Sequence, residues 1–204
     1  MRPVICLITD RRQLAIQTGD GVVAQVAAAA KAGVHLVQIR ERDLEGRALV
    51  HLVRACVVAV KTTSTRVIVN ERLDVALAAG AHGVHLRGDS MPASRARTMA
   101  PRSFLIGRSV HDALEARRVI EDGGLDYLVF GPVFKTSSKP GRPGAGLEAL
   151  RAVVSSTVVP VLAVGGVTHD RVAAVTAAGA AGFAAISLFS GLGHLPGEFI
   201  DTPR

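Results

Sequence analysis

The chain has 204 residues, a length that suits a single domain. Hydrophobic residues make up 49% of it, aromatic residues only 3%, and the formal net charge is +7. The basic residues are scattered and no reader motif accompanies them, which argues against a nucleic-acid partner. No apolar run approaches the roughly 20 residues of a membrane helix, so we expect no membrane partner. Cys6 and Cys56 lack CxxC spacing and predict free thiols in a cytoplasmic protein.

Short β-rich apolar runs recur along the chain, separated by stretches of helical spacing such as Val22, Val26, Ala29 and Ala30. Ala-Gly signals that end a helix precede several of these runs. Runs of this kind are typical of strands that are buried on both faces of a parallel sheet. We predict eight strands, at Val4–Thr9, Val34–Ile39, Arg66–Asn70, Gly83–Leu86, Leu105–Ser109, Tyr127–Phe130, Val161–Val164 and Phe183–Ile186.

Eight strands alternating with helices predict one (β/α)8 TIM barrel that spans residues 1–204. An open doubly wound sheet is the alternative architecture. The Gly- and Pro-rich run after Phe189 predicts a short or missing eighth helix. A turn or a second copy of the chain would then cover the last strand, so a homo-oligomer is one expected arrangement.

The polar and glycine residues concentrate where the predicted strands end, and barrel enzymes place their active sites at that end. Gly165 and Gly166 close the seventh strand, and Ile186 and Ser187 close the eighth. Glycines allow main-chain N–H groups to approach an anion, and the Ser187 hydroxyl adds a donor. We therefore predict a phosphate site at these four residues, with simple turn glycines as the alternative.

Two further residues could handle an anionic substrate. Arg40 can make bidentate bonds to a phosphate or carboxylate, or it can form an ion pair with Glu41 or Glu45. His111 can transfer protons near neutral pH, or it can be an ordinary exposed histidine.

The remaining charged candidates lie in loops. Glu71 and Asp89 could bind Mg²⁺ through oxygen ligands, or could each favour the start of a helix. Lys135, Lys139 and Arg142 belong to a long loop that could close over an anion or could simply be an exposed basic loop.

From Thr9 to Ser187 the chain resembles the thiamine phosphate synthase and thiazole tautomerase family, whose fold is a (β/α)8 barrel. The matching motifs are Ile8-Thr9-Asp10, Gln38-Ile39-Arg40-Glu41, Val69-Asn70, Ser109-Val110-His111, Gly131-Pro132-Val133-Phe134-Lys135-Thr136, Lys139 and Gly165-Gly166. The resemblance implies a small phosphorylated thiazole as substrate. The candidate substrate ligands are Gln38, Arg40, Asn70, Ser109, Gly131, Thr136 and Lys139.

Two activities share this scaffold. The synthase joins hydroxymethylpyrimidine pyrophosphate to thiazole phosphate and releases pyrophosphate with Mg²⁺, whereas the tautomerase moves a proton on thiazole carboxylate phosphate without a metal. Arg42, Ser90 and His111 match the tautomerase subgroup, and Glu71 departs from both groups. The resemblance therefore implies a thiazole tautomerase with His111 as acid/base and no cofactor. The alternatives are an Mg²⁺-dependent synthase that uses Glu71 and Asp89, and a non-catalytic thiazole phosphate-binding protein.

Overall fold

Eight parallel strands close into a barrel in the computed structural model, which describes residues 2–136, 141 and 143–189. Each strand pairs with the next along the chain, and the eighth pairs with the first, so the predicted (β/α)8 barrel is confirmed. The strands are β1 Val4–Ile8, β2 Leu36–Ile39, β3 Arg66–Asn70, β4 Gly83–Leu86, β5 Leu105–Val110, β6 Tyr127–Phe130, β7 Val161–Val164 and β8 Gly182–Ala185.

A helix follows each of the first seven strands and buries an apolar face against the barrel. These helices are α1 Gly19–Lys31, α2 Gly46–Ala59, α3 Leu73–Ala79, α4 Ala93–Met99, α5 Ala113–Glu121, α6 Gly146–Ser155 and α7 His169–Ala177. In α1 the predicted stripe Val22, Val26, Ala29 and Ala30 is buried. No described helix is long and apolar enough to cross a bilayer.

The described part of the chain carries a single 3-10 turn after β8, at Ser187–Phe189, where the pattern predicts a short or missing eighth helix. Gln25 of α1 donates its side-chain amide to the Phe189 carbonyl at 2.9 Å, which anchors this turn against the barrel. The rest of the predicted irregular tail, residues 190–204, lies outside the described residues.

Strand boundaries differ from prediction by one or two residues. β2 begins at Leu36 rather than Val34, because the Val34 N–H caps α1 by donating to the Ala29 carbonyl at 3.0 Å. β8 ends at Ala185, so Ile186 lies in the loop that follows. The main chain of Ile186 therefore lies beyond the hydrogen-bonded part of β8, at the mouth of the barrel.

Alternate strand residues separate the core into two regions. Outward-facing residues pack against the helices, and inward-facing residues fill the barrel with the apolar set Cys6, Ile8, Leu36, Ile68, Tyr127, Val129, Leu162 and Ala184. Inward-facing positions near the carboxyl ends of the strands are polar instead, as Gln38, Asn70 and His85 illustrate. The closed parallel sheet therefore brings residues from distant parts of the sequence to one mouth.

We predict that Gly107→Ala destabilises the protein by about 1–3 kcal/mol, because a Cβ at position 107 would clash with the hydroxyl end of the Tyr127 ring on the paired strand. Urea unfolding measures the loss. Tyr127→Leu should relieve part of it in the double variant, which a thermodynamic cycle detects. Gly19→Ala is the control, because its Cβ would meet only Leu52 at 3.7 Å. If the changes in unfolding free energy of the two single variants simply added up in the double variant, the predicted clash between residues 107 and 127 would be wrong.

Candidate active site

An open cavity occupies the carboxyl-terminal mouth of the barrel. All but one of the candidate substrate, phosphate and acid/base residues line it: Gln38, Arg40, Asn70, Ser109, His111, Gly131, Thr136, Gly165, Gly166, Ile186 and Ser187. Lys139 lies outside the described residues. Arg42, His85 and Arg87 also line the cavity, although they were not among the candidate ligands.

One side of the cavity is strongly cationic. The Arg40 guanidinium is half-buried, and among the described residues no carboxylate lies within 4.0 Å of it. Burial and the positive charge of Arg42 lower the pKa of Arg40. A buried cation without a counter-ion is costly, so this side is suited to an anionic ligand.

Glu41 separates these two arginines without pairing with Arg40. Its side chain, 2% exposed, accepts the Thr9 hydroxyl at 2.7 Å and bonds the Arg11 main chain and guanidinium. The Thr9 hydroxyl oxygen also accepts the Arg40 N–H at 3.0 Å. These bonds tie the loops after β1 and β2 together. Glu41 is thus engaged by Thr9 and Arg11, and no ion pair joins it to Arg40.

The cationic side continues into a second cleft between the loops that follow β2, β3 and β4. This cleft is lined by Arg40, Arg42, Arg72 and Arg87 together with Glu41, Asn70 and Glu71. Arg72 and Arg87 pair with Asp74 and Asp89, which leaves Arg40 and Arg42 as the lining arginines without an ion-pair partner among the described residues. A ligand group with several negative oxygens fits this charge distribution.

Glu71 adopts φ = 69°, the one left-handed non-glycine residue in the described ranges. Its carboxylate accepts the Ser90 hydroxyl and the Arg87 N–H, the latter at 3.1 Å. The Asp89 side chain is 72% exposed and pairs with Arg87 at 2.7 Å. Strained backbone at a cavity rim is typical of functional sites.

These contacts bear on whether the site fits the magnesium ion that the family resemblance implies. No group of three or more His, Cys, Asp and Glu residues that could hold a metal exists among the described residues. Glu71 accepts the Ser90 hydroxyl, and Asp89 forms its ion pair with Arg87, whose guanidinium also lies 4.0 Å from the Glu71 carboxylate. The described residues therefore do not form the two-carboxylate site that Glu71 and Asp89 would have supplied, and we assign no step to the metal.

The opposite side of the cavity is built from glycine main chain. Gly165 and Gly166 have φ values of 92° and 64°, and a Cβ on either would lie 2.5 Å from the loop after β6. Among the described residues the Gly166 N–H has no hydrogen-bond partner, while its carbonyl accepts Arg171 at 2.8 Å. Glycine is required here both by conformation and by packing. The exposed N–H group suits a phosphate oxygen.

His111 lines the cavity at the end of β5. Its ring Nδ1 lies 3.2 Å from a Glu115 carboxylate oxygen, which also accepts the His111 N–H at 2.7 Å. Asp112 caps α5 by accepting the Glu115 N–H at 2.7 Å. Glu115 therefore orients the imidazole, and no described residue hydrogen-bonds its Nε2.

A second histidine lies at the floor of the cavity. His85 is buried, its Nε2 lies 2.8 Å from the Ser109 hydroxyl, and its Nδ1 lies 3.2 Å from the Tyr127 hydroxyl. Burial and, less strongly, the charge of Arg108 lower the pKa of His85 to about 4. His85 is therefore neutral at pH 7.

Arg108 supports the site from outside the barrel, and sequence reasoning missed it. The buried guanidinium donates to the carbonyls of Gly88, Ser90 and Met91 at 2.8–3.1 Å. It therefore holds the loop that carries Ser90 towards Glu71. The only sequence signal for this role was an arginine within a predicted strand. Its partners are main-chain carbonyls, which no residue type reveals.

A (β/α)8 barrel with a cavity at its mouth, lined by arginines and glycines, is the class that this fold and site define. The family model described as thiamine monophosphate synthase matches residues 5–189, and the chain belongs to that family. A thiamine-phosphate synthase of Methanoregula boonei is 41% identical over 94% of this chain and 87% of its own length. One of Methanoculleus marisnigri is 42% identical over 82% and 79%.

A solved structure agrees. The thiamine phosphate pyrophosphorylase of Pyrococcus furiosus superposes with a TM-score of 0.80 at 32% identity, covering 92% of this chain and 88% of its own. These relatives overturn the expectation of a thiazole tautomerase, an isomerase, because they carry synthase and pyrophosphorylase names. The expectation of a tautomerase rested on three residues, Arg42, Ser90 and His111, and it is wrong.

We predict that acid destabilises the protein through His85. With a pKa of about 4 in the folded state and 6.5 when exposed, His85 contributes stability above pH 6.5 that is lost as the pH falls towards 4. Between pH 7.5 and pH 5 the loss should be about 2 kcal/mol, measured by urea unfolding. His85→Asn should remove this part of the pH dependence, and the exposed His51→Asn should not. Equal slopes for both variants would refute the assignment.

We also predict that Ser90→Asp creates cation affinity that the native chain lacks, because it sets a second carboxylate beside Glu71. Without metal, like-charge repulsion should lower Tm; Mg²⁺ should then raise Tm by several degrees more than in the native protein. Differential scanning calorimetry measures this difference. Asp89→Asn, at an exposed carboxylate, should leave the response to Mg²⁺ unchanged. Equal Mg²⁺ shifts in native protein and Ser90→Asp would contradict the account.

Proposed function

We propose that this protein is a thiamine phosphate synthase, which joins hydroxymethylpyrimidine pyrophosphate to thiazole phosphate and releases pyrophosphate. The observation that carries the proposal is the division of one cavity into two anion-binding sides. Arg40 and Arg42 lie on one side, and Gly165, Gly166 and Ser187 lie on the other. A reaction between two phosphorylated molecules requires two such sides facing a common space.

The cationic side suits the pyrophosphate group. When the bond between the pyrimidine carbon and the pyrophosphate oxygen breaks, negative charge develops on the leaving group. Arg40, Arg42 and the Ser109 hydroxyl line the cavity where they can stabilise that charge. Gln38 donates to Asn70 at 2.9 Å, and this amide pair on neighbouring strands offers polar atoms to the pyrimidine.

The glycine side suits the thiazole phosphate. Main-chain N–H groups at Gly165 and Gly166, together with the Ser187 hydroxyl, offer donors to phosphate oxygens. Thr136 and Gly131 line the wall between the two sides, where the rings of both substrates would meet. His111 also lines the cavity; because its Nδ1–H donates to the Glu115 carboxylate, its Nε2 donates to the leaving group only when the imidazole carries both protons.

The direct test mixes purified protein with both substrates and Mg²⁺ and measures pyrophosphate release and thiamine phosphate formation. We expect both products in equal amounts. Absence of turnover at saturating substrates would overturn the proposal, and tight binding without turnover would favour the non-catalytic binding protein instead.

Two substitutions should separate the two sides. Arg40→Gln should raise KM for the pyrimidine substrate about 10- to 100-fold, because it removes a charged donor. Ser187→Ala should raise KM for thiazole phosphate by a smaller factor, roughly 3- to 10-fold. Steady-state kinetics with each substrate varied in turn measures the split. Arg151→Gln, at an exposed residue of α6, is the control. Equal effects of Arg40→Gln on both substrates would contradict the division of the cavity.

A further inference from the structure

A chain of three polar side chains crosses the otherwise apolar interior of the barrel. Tyr127 on β6 reaches His85 on β4, and His85 reaches Ser109 on β5 at the floor of the cavity. The ring centroids of His85 and Tyr127 are 5.7 Å apart. The interior residues around Tyr127 are apolar, so its hydroxyl depends on His85 for a partner.

The barrel makes room for the Tyr127 ring at a particular residue. Gly107 pairs with Tyr127 in the register of β5 and β6, and a Cβ on Gly107 would clash with the hydroxyl end of the ring. A glycine within a strand weakens the strand and packs nothing itself. Its presence here lets the ring lie across β5 and carry the hydroxyl to His85.

The direction of these two hydrogen bonds follows from the protonation of Tyr127 and His85. Burial raises the pKa of Tyr127 well above its ordinary value, so its hydroxyl always carries a proton. His85 is neutral and has one N–H. If Tyr127 donates to Nδ1, then Nε2 carries the proton and donates to Ser109. In the reverse order, the Tyr127 hydroxyl proton would have no acceptor among the described residues, which is the costly state for a buried donor.

We propose that Tyr127 is a positioning residue, which acts through His85 to hold the Ser109 hydroxyl as a hydrogen-bond donor to an anion in the cavity. Because the Ser109 oxygen accepts from Nε2, its own proton is left for a ligand. The oxygens of a pyrophosphate only accept hydrogen bonds, so they match this polarity. The identity of the anion rests on the proposed function, whereas the direction of the hydrogen bonds from Tyr127 through His85 to Ser109 does not.

The tautomer of His85 in the ligand-free protein tests the direction. In protein labelled with ¹⁵N-histidine, two-dimensional NMR distinguishes a protonated from an unprotonated ring nitrogen, and His85→Asn identifies the signals. We expect Nε2 protonated and Nδ1 unprotonated. Tyr127→Phe removes the donor to Nδ1 and should abolish this preference. A protonated Nδ1 in the native protein, or an unchanged tautomer in Tyr127→Phe, would overturn the proposal.

Binding of inorganic pyrophosphate tests the consequence. By calorimetry, Tyr127→Phe should weaken Kd about fivefold, the effect of misdirecting one hydrogen bond. In a Ser109→Ala background the same substitution should change Kd little, because its effect passes through Ser109. Equal weakening in both backgrounds would indicate a merely structural role and would overturn the proposal. The expected tautomer and binding, without thiamine phosphate formation, would refute the proposed function alone.

Discussion

Closure of eight parallel strands is the constraint on which the rest of this structure depends. Because every strand runs the same way, all carboxyl ends meet at one mouth, and each must be followed by a loop at that mouth. Residues as distant as Arg40 and Ser187 therefore line one cavity. Below them the described interior is largely apolar and buried, and the cavity opens at the mouth.

The electrostatics of the mouth divide it into unlike halves. On one half Glu41 is engaged by Thr9 and Arg11, and Arg40 has no ion-pair partner among the described residues. On the other half, glycine main chain at Gly165 and Gly166 offers dipoles rather than formal charges. A formal charge suits a group whose charge grows during reaction, and a dipole cradle suits a phosphate that only has to be held.

The sequence predicted the barrel because strand runs and helix-stop glycines are local signals. It also predicted that Gly165 and Gly166 lie at the mouth, because such glycines follow a strand directly, and they line the cavity there. It could not predict that Ser90, rather than Asp89, faces Glu71, since that depends on a left-handed backbone and on Arg108 beneath the loop. The contact of Tyr127 with His85 spans two strands and depends on a missing Cβ.

The assignment of activity failed for a different reason. The expectation treated as decisive a few residues that differ between two activities on one scaffold, whereas relatives that match most of the chain are named for the other activity.

A crystal structure of the protein with thiamine phosphate and pyrophosphate tests the account most directly. We expect the phosphate at Gly165, Gly166 and Ser187, and the pyrophosphate between Arg40 and Ser109. Both anions on the same side of the mouth would contradict it.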